Sequence, residues 1–326
     1  MYEIKRLSED FAVREMSSIV PQNSGSYTYF LLKKKDYTTE AAIQRVSKQV
    51  GLPRKFFGFA GNKDRKAVTE QVCSARGSIR SFALRELSVS VLGRGDDPIS
   101  LGDLYGNRFE IVVRNIDGLP KKISKVVNYF DSQRFGINNN NHLVGRAILK
   151  RDFKSAAEMI METGDKVDMK THLQNHVNDY VGALRMLPKK VLSLYINAYQ
   201  SDVWNRGVGE YLETAGVKGN KGKSKAVEGE EFPIVGYGTE YASPAIRGIC
   251  ERLLTADGLV QRDFVMKEIP ELSSEGNSRR IFADVSELSV GKLEDDELNS
   301  GKKKVLVKFT LGKGSYATIV IKEMFS

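Results

Sequence analysis

The sequence predicts an α+β protein built from two domains. Three observations carry this reading. Strand patterns crowd both ends of the chain, helical patterns fill its centre, and 326 residues are enough for two domains. Apolar residues make up 41% of the chain, which supports a packed core and excludes a disordered one.

Taken in order, Asp10 to Glu15 (DFAVRE) alternates in polarity and Tyr27 to Lys34 (YTYFLLKK) is rich in β-formers, so both read as strands. Thr38 or Thr39 then caps a helix that runs to Val50. Its Ala42, Ile43, Val46 and Val50 share one face, and Gly51-Leu52-Pro53 ends it. An apolar run through Phe56, Phe57, Phe59 and Ala60 meets Gly61-Asn62, a tight-turn dipeptide. The chain resumes as a β-branched strand through Ala67, Val68, Thr69 and Val72. Leu87 to Leu92 and Glu110 to Arg114 add strands, and the polar turn Asn138 to Asn141 is a natural boundary. Helical patterns follow at His142 to Lys150, Lys154 to Glu162, Val191 to Thr214 and near Ile246 to Leu254. The end reads as two strands, Lys304 to Phe309 and Tyr316 to Ile321, joined by Leu311-Gly312-Lys313-Gly314.

The net charge of +9 and pI of about 9.3 suit a protein that meets a polyanion. Two cysteines, Cys73 and Cys250, make neither a disulfide framework nor a metal set, as expected in a reducing cytoplasm. No apolar stretch approaches the roughly 18 residues of a membrane span, and the first residues lack a signal-peptide core. His172 and His176 have helical i, i+4 spacing without a third ligand beside them, so they read as structural. Gly216 to Glu231 reads as a basic Gly/Lys loop. Its Gly222-Lys223-Ser224 lacks the earlier glycine of a phosphate loop, because Val217 stands there.

The chemistry concentrates between Phe57 and Ser74 (FGFAGNKDRKAVTEQVCS). One carboxylate, Asp64, lies on a loop between two strands, flanked by Lys63, Arg65 and Lys66. Arg54 to Arg80 holds seven basic residues and two acidic ones. Such a field attracts phosphates and favours an ionised Asp64. From pattern alone the segment reads rather as a surface turn whose acid makes salt bridges.

The string AGNKDRKAVTEQ resembles the signature of the TruD family of tRNA pseudouridine synthases. Further stretches resemble that family in its own order. Lys5 to Val13 is similar to its N-terminal motif, with Ser8 for the usual Pro. GNRFEIVVR (106–114) and NYFDSQRFG (128–136, with Asp131 for Gly) follow, then NAYQSDVWN (197–205). Ile269 to Arg280 and the closing FTLGKGSYATIVIKE (309–323) complete the set. The resemblance implies that Asp64 is the catalytic residue, that Phe109 is the ring under the target uracil, and that Asn107 hydrogen-bonds the catalytic Asp. It places Lys5, or Arg6 one residue on, in the active site and Tyr316 near the base. Arg54, Lys55, Lys63, Arg65 and Lys66 would hold phosphates, and Arg134 would touch RNA or tie a loop.

The implied fold is a catalytic domain on a mixed, mostly antiparallel sheet, residues 1–137 and 276–326, with an inserted α/β domain at 138–275. The implied activity is isomerisation of uridine to pseudouridine in tRNA, at position 13. Nothing enters or leaves in that reaction, so neither a cofactor nor a metal is expected. The expected partner is tRNA, and the protein is expected to be a cytoplasmic monomer without membrane association. The alternative is a non-catalytic RNA-binding protein or tRNA folding chaperone on the same fold. A metal-dependent nuclease would need carboxylates clustered near Asp64, and the nearest acid in sequence is Glu70.

Overall fold

A computed structural model describes residues 2–164, 166–216 and 229–326. The core of the lysine-rich loop predicted at 216–231, including Gly222-Lys223-Ser224, lies outside the described residues. The chain divides into two compact units, Met1–Val126 with Ala283–Ser326, and Val127–Phe282. The seams therefore fall at 126/127 and 282/283, whereas the sequence reading placed them at 137/138 and 275/276.

The first unit opens with β1 (Phe11–Ser17), β2 (Tyr27–Lys35), α1 (Thr39–Val50) and β3 (Phe57–Phe59). It continues through β4 (Val68–Arg76), β5 (Phe82–Leu84), β6 (Leu87–Gly95), β7 (Leu104–Ile116) and β8 (Lys125–Val127), whose last residue falls past the 126/127 seam. The second unit carries α2 (Asn141–Leu149), α3 (Phe153–Glu162), α4 (Val167–Asn175), α5 (Tyr180–Arg185) and α6 (Lys189–Thr214). β9 (Glu231–Ile234), α7 (Pro244–Ala256) and β10 (Asn277–Arg280) follow. β11 (Phe282–Asp284), whose first residue falls before the 282/283 seam, then β12 (Ser286–Val290), β13 (Glu294–Asp295), β14 (Lys303–Gly312) and α8 (Ala317–Met324) complete the first unit.

The first unit is organised by one ten-stranded sheet, in the order β12-β14-β7-β1-β4-β2-β6-β5, with β13 beside β14 and β3 beside β4. Its one parallel pair among the described strands is β1 with β4; the rest are antiparallel. The sheet is therefore mixed and mostly antiparallel. Side chains alternate between its faces, and one face is apolar at both ends. At one end Phe30, Leu32, Cys73 and Val89 pack under Ala42, Ile43 and Val46 of α1. At the other, Phe11, Val13, Phe109, Val307 and Phe309 pack under Ala317, Val320, Ile321 and Met324 of α8.

α1 forms where predicted. Thr38 caps it by accepting from the Ala41 amide, and Gly51 closes it in the left-handed conformation, φ 71°. The final strand predicted at Tyr316–Ile321 is instead the start of α8. Five β-branched and aromatic residues out of six imitate a strand. The spacing of Ala317, Val320, Ile321 and Met324 is helical, and all four are buried.

The second unit is built around α6. Trp204 Nε1 donates to the Phe232 carbonyl at 3.0 Å, and Gln200 Nε2 to that of Val235 at 2.9 Å. Asn205 accepts from the Phe130 amide and donates to its carbonyl, both at 2.9 Å. Each side chain thereby replaces water for backbone groups that a packed interior would otherwise leave unpaired. β9 and β10 form a separate antiparallel pair.

Candidate active site

Asp64 stands on the loop between β3 and β4, and that loop is tied down by polar side chains. Alternation along β1 puts Glu15 on the same face as Phe11 and Val13. Its carboxylate is 2.5 Å from Lys63 Nζ, with side-chain exposures of 0% and 6% for the two residues, and it also accepts from the Val72 amide at 3.3 Å. The Lys63 amide donates to Thr39 Oγ1 at 2.9 Å, Thr39 donates to Gln71 Oε1 at 2.9 Å, and Gln71 Nε2 donates to the Gly61 carbonyl at 3.0 Å. Lys34 Nζ donates to the Asp64 carbonyl at 2.9 Å and to the Tyr37 carbonyl at 2.7 Å. The peptides on either side of Asp64 are thus held by β1, β2, β4 and the start of α1. Burial pushes the Lys34 ammonium down to about 8; the Asp64 charge opposes that shift and the Lys63 charge adds to it.

The Asp64 carboxylate itself points to the surface, one quarter exposed, and Lys5 Nζ lies 2.6 Å from its Oδ2. The same ammonium sits 4.1 Å from the centre of the Phe11 ring. An aromatic ladder continues inward. Phe11 meets Phe109 edge-on at 6.1 Å, and Phe109 stacks on Phe309 at 5.4 Å. Strand register explains the ladder, because Val13, Phe109 and Phe309 are direct neighbours on β1, β7 and β14.

The structure brings together Asp64 and Lys5, with Phe109 two rings away from them, and assigns several other expected residues different surroundings. Phe109, expected under the target uracil, is only 7% exposed, because Phe11 and Phe309 cover it. Asn107, expected to bond Asp64, stands beside Glu15 and Leu311 in the sheet. Its Oδ1 is buried with no hydrogen-bond partner among the described residues. Lys63 is an internal tie rather than a phosphate-facing side chain. Arg54 likewise forks onto the Glu40 carboxylate at 2.8 and 2.6 Å and donates to the Phe57 carbonyl. Lys55, Arg65 and Lys66 are exposed. Tyr316 occupies the N-cap position of α8. Arg134 lies in the second unit, its guanidinium 5.2 Å from the Phe130 ring centre.

His172 Nε2 contacts Asp179 Oδ2 at 2.8 Å. Among the described residues no group of three or more His, Cys, Asp or Glu could hold a metal ion, and no helix is long and apolar enough to cross a membrane.

The sequence profile described as tRNA pseudouridine synthase D (TruD) matches residues 2–171, 165–222 and 220–324. The chain belongs to the TruD family. A relative from Methanosarcina acetivorans, named "Probable tRNA pseudouridine synthase D", is 30% identical over 97% of this chain and 90% of its own. One of the same name from Nanoarchaeum equitans is 30% identical over 92% of this chain and 87% of its own. A solved crystal structure from Methanosarcina mazei that carries a TruD description superposes with a TM-score of 0.74. It is 27% identical and covers 99% of this chain and 93% of the other.

In this TruD-family chain, sequence reasoning missed Lys34, Glu15, Thr39 and Gln71. Lys34 hides in the run Lys33-Lys34-Lys35. The alternation Phe30, Leu32, Lys34 was the available signal, because it puts the middle lysine on the buried face. Also missed was the turn before β7. The Gly102 amide donates to the Ala60 carbonyl at 2.8 Å and the Lys313 amide to that of Tyr105 at 3.0 Å. Lys313 Nζ donates to the Gly102 carbonyl at 3.2 Å. This turn joins the Asp64 loop to the Gly312–Gly314 turn while leaving Leu101 and Tyr105 70% and 68% exposed. Tyr105 is the extra residue of a β-bulge, since Leu104 pairs with Ser17 and Gly106 with Met16. Bulges recur beside active sites, where they re-aim a side chain.

Proposed function

We propose that this chain isomerises uridine to pseudouridine in tRNA, at position 13, with Asp64 as the catalytic carboxylate. The observation that carries the reading is one surface carboxylate, fixed through the peptides on both sides of it and gripped by Lys5. Family membership supports the same chemistry. The reaction cuts the glycosidic bond, turns the uracil, and joins C5 to C1′ of the ribose. A carboxylate suffices for this, attacking C1′ or taking the proton from C2′. Lys5 orients Asp64 and balances its charge. A uridine inside folded tRNA must first be flipped out, and Phe109 with its neighbouring rings is the apolar floor toward which the base turns.

Exposed Lys55, Arg65 and Lys66 meet phosphates, and Tyr105 stacks on a nucleotide beside the target. The first unit serves as the catalytic domain and the second as the family's insertion, where Arg134 lies. The test is pseudouridine mapping on unmodified tRNA incubated with wild type and with Asp64→Asn, in chelator. Conversion at position 13 by wild type alone upholds the reading. Conversion by both removes Asp64 from the chemistry. Binding without conversion by either gives the lead to a tRNA-binding protein.

A further inference from the structure

Lys34 is 1% exposed and is among the largest fully buried side chains of the protein. A buried ammonium is costly unless its charge and its protons are met. Two of its protons go to the Tyr37 and Asp64 carbonyls, and no carboxylate among the described residues lies within ion-pair distance of it. The surrounding groups sharpen the point. On β4 its direct neighbour is Thr69 and on β6 it is Leu87, both uncharged. On the Asp64 loop Lys63 is already paired with Glu15. In the turn after β2, Asp36 accepts from Ser8. At the start of α1, Thr39 is engaged with Gln71 and Glu40 with Arg54. The acid whose field reaches Lys34 is Asp64, whose carboxylate Lys5 contacts from the other side.

We infer that Lys34 is a positioning residue of the Asp64 site: its ammonium clamps the Asp64 peptide to the end of β2 and supplies a fixed positive charge behind the carboxylate. The inference rests on the proposed reaction but has a consequence that is independent of it. Tyr37 and Asp64 belong to different segments, so one side chain ties the β2–α1 turn to the catalytic loop. Loss of the proton leaves the amine donors for these two carbonyls but withdraws the positive charge from beside Asp64. Since burial lowers the ammonium to about 8, that charge is lost within a range accessible to kinetics.

The test uses the whole chain as wild type, Lys34→Arg and Lys34→Met. Amide hydrogen exchange is read in the peptides covering 60–67 and α1. In Lys34→Met the 60–67 amides are expected to exchange at least about tenfold faster while α1 keeps its protection. Unchanged exchange at 60–67 overturns the clamp, whatever the enzyme does with RNA. The single-turnover rate on unmodified tRNA is then followed from about pH 6 to 10. Wild type is expected to lose about tenfold per unit above about 8, and Lys34→Arg, which stays charged, to shift that limb upward. A limb identical in wild type and Lys34→Arg overturns the electrostatic part. Absence of pseudouridine with wild type at every pH instead sinks the proposed reaction, and the exchange result still decides the clamp.

Discussion

Lys5 reaches Asp64 from a left-handed backbone: its φ is 57°, and its Nζ lies 2.6 Å from Asp64 Oδ2. A non-glycine residue in that region costs on the order of 1 kcal/mol. The fold therefore carries a local strain whose visible result is a cation on the carboxylate proposed to be catalytic. Lys5→Gly is expected to relieve the strain and lose the cation. Thermal unfolding should show stability kept or raised, while single-turnover kinetics show a fall of about 10- to 100-fold. A variant as active as wild type would remove Lys5 from the site.

Glu15→Gln leaves the buried Lys63 ammonium without its counter-charge. Breaking such a pair on one side costs about 3–5 kcal/mol. Urea unfolding followed by tryptophan-independent far-UV dichroism should show that loss. The Asp64 loop loosens with it, so the rate should fall in molecules that remain folded.

Arg114 is the corresponding tie away from the site. Its guanidinium meets Asp10 at 2.9–3.1 Å and Asp296 at 2.9 Å, with all three buried. Arg114→Met strands two carboxylates and is expected to cost about 3–5 kcal/mol. Because none of the three touches the Asp64 loop in any hydrogen bond described, the rate per folded molecule should stay within about twofold at a temperature where the variant is folded.

The Lys34 shift has a signature in stability. The folded value is about 8 and the unfolded value 10.5. Between them the unfolded chain holds the extra proton, so this residue makes stability rise with pH through that window. Lys34→Met should flatten the slope. Denaturant midpoints collected at several pH values from about 7.5 to 10.5 decide it, and equal slopes in the two proteins would contradict the shift.

Tyr105→Ala should weaken RNA engagement without touching the chemistry. Loss of one base-stacking ring is worth about 1–3 kcal/mol, so KM for tRNA is expected to rise about 5- to 150-fold with kcat held. Tyr105→Phe should behave as wild type. A fall in kcat with KM unchanged would place the ring in catalysis instead.

Much of the fold was legible in the sequence because burial on one face imposes a period. Phe11 and Val13 alternate along β1, and Ala42, Ile43 and Val46 recur along α1. α8 was misread where a short β-branched run fits both periods and only Met324 settles the choice. The place of Asp64 on a loop between two strands was legible because Gly61-Asn62 ends one apolar run and a β-branched one resumes at Ala67. What stayed hidden depends on pairing between distant segments. Nothing local to Phe109 announces that Phe309 will cover it, since that contact is made by the register of β7 with β14. Lys63 and Arg54 look like surface cations until Glu15 and Glu40 are brought beside them. Lys34 looks like one lysine of three until the pleat turns it inward.

The register of β7 with β14 also bears on how the protein comes into being on the ribosome. β7 and the Asp64 loop emerge early, whereas β14 and α8 follow only after the whole second unit has been made. Until then β7 is an open sheet edge, Phe109 lacks Phe309, and the apolar face over β1 and β7 has no helix on it. A nascent or prematurely terminated chain thus displays the Asp64 motif on an unfinished scaffold. That arrangement makes completion of the sheet beside the Asp64 loop a property of the finished polypeptide, and a shortened chain keeps a bare apolar face.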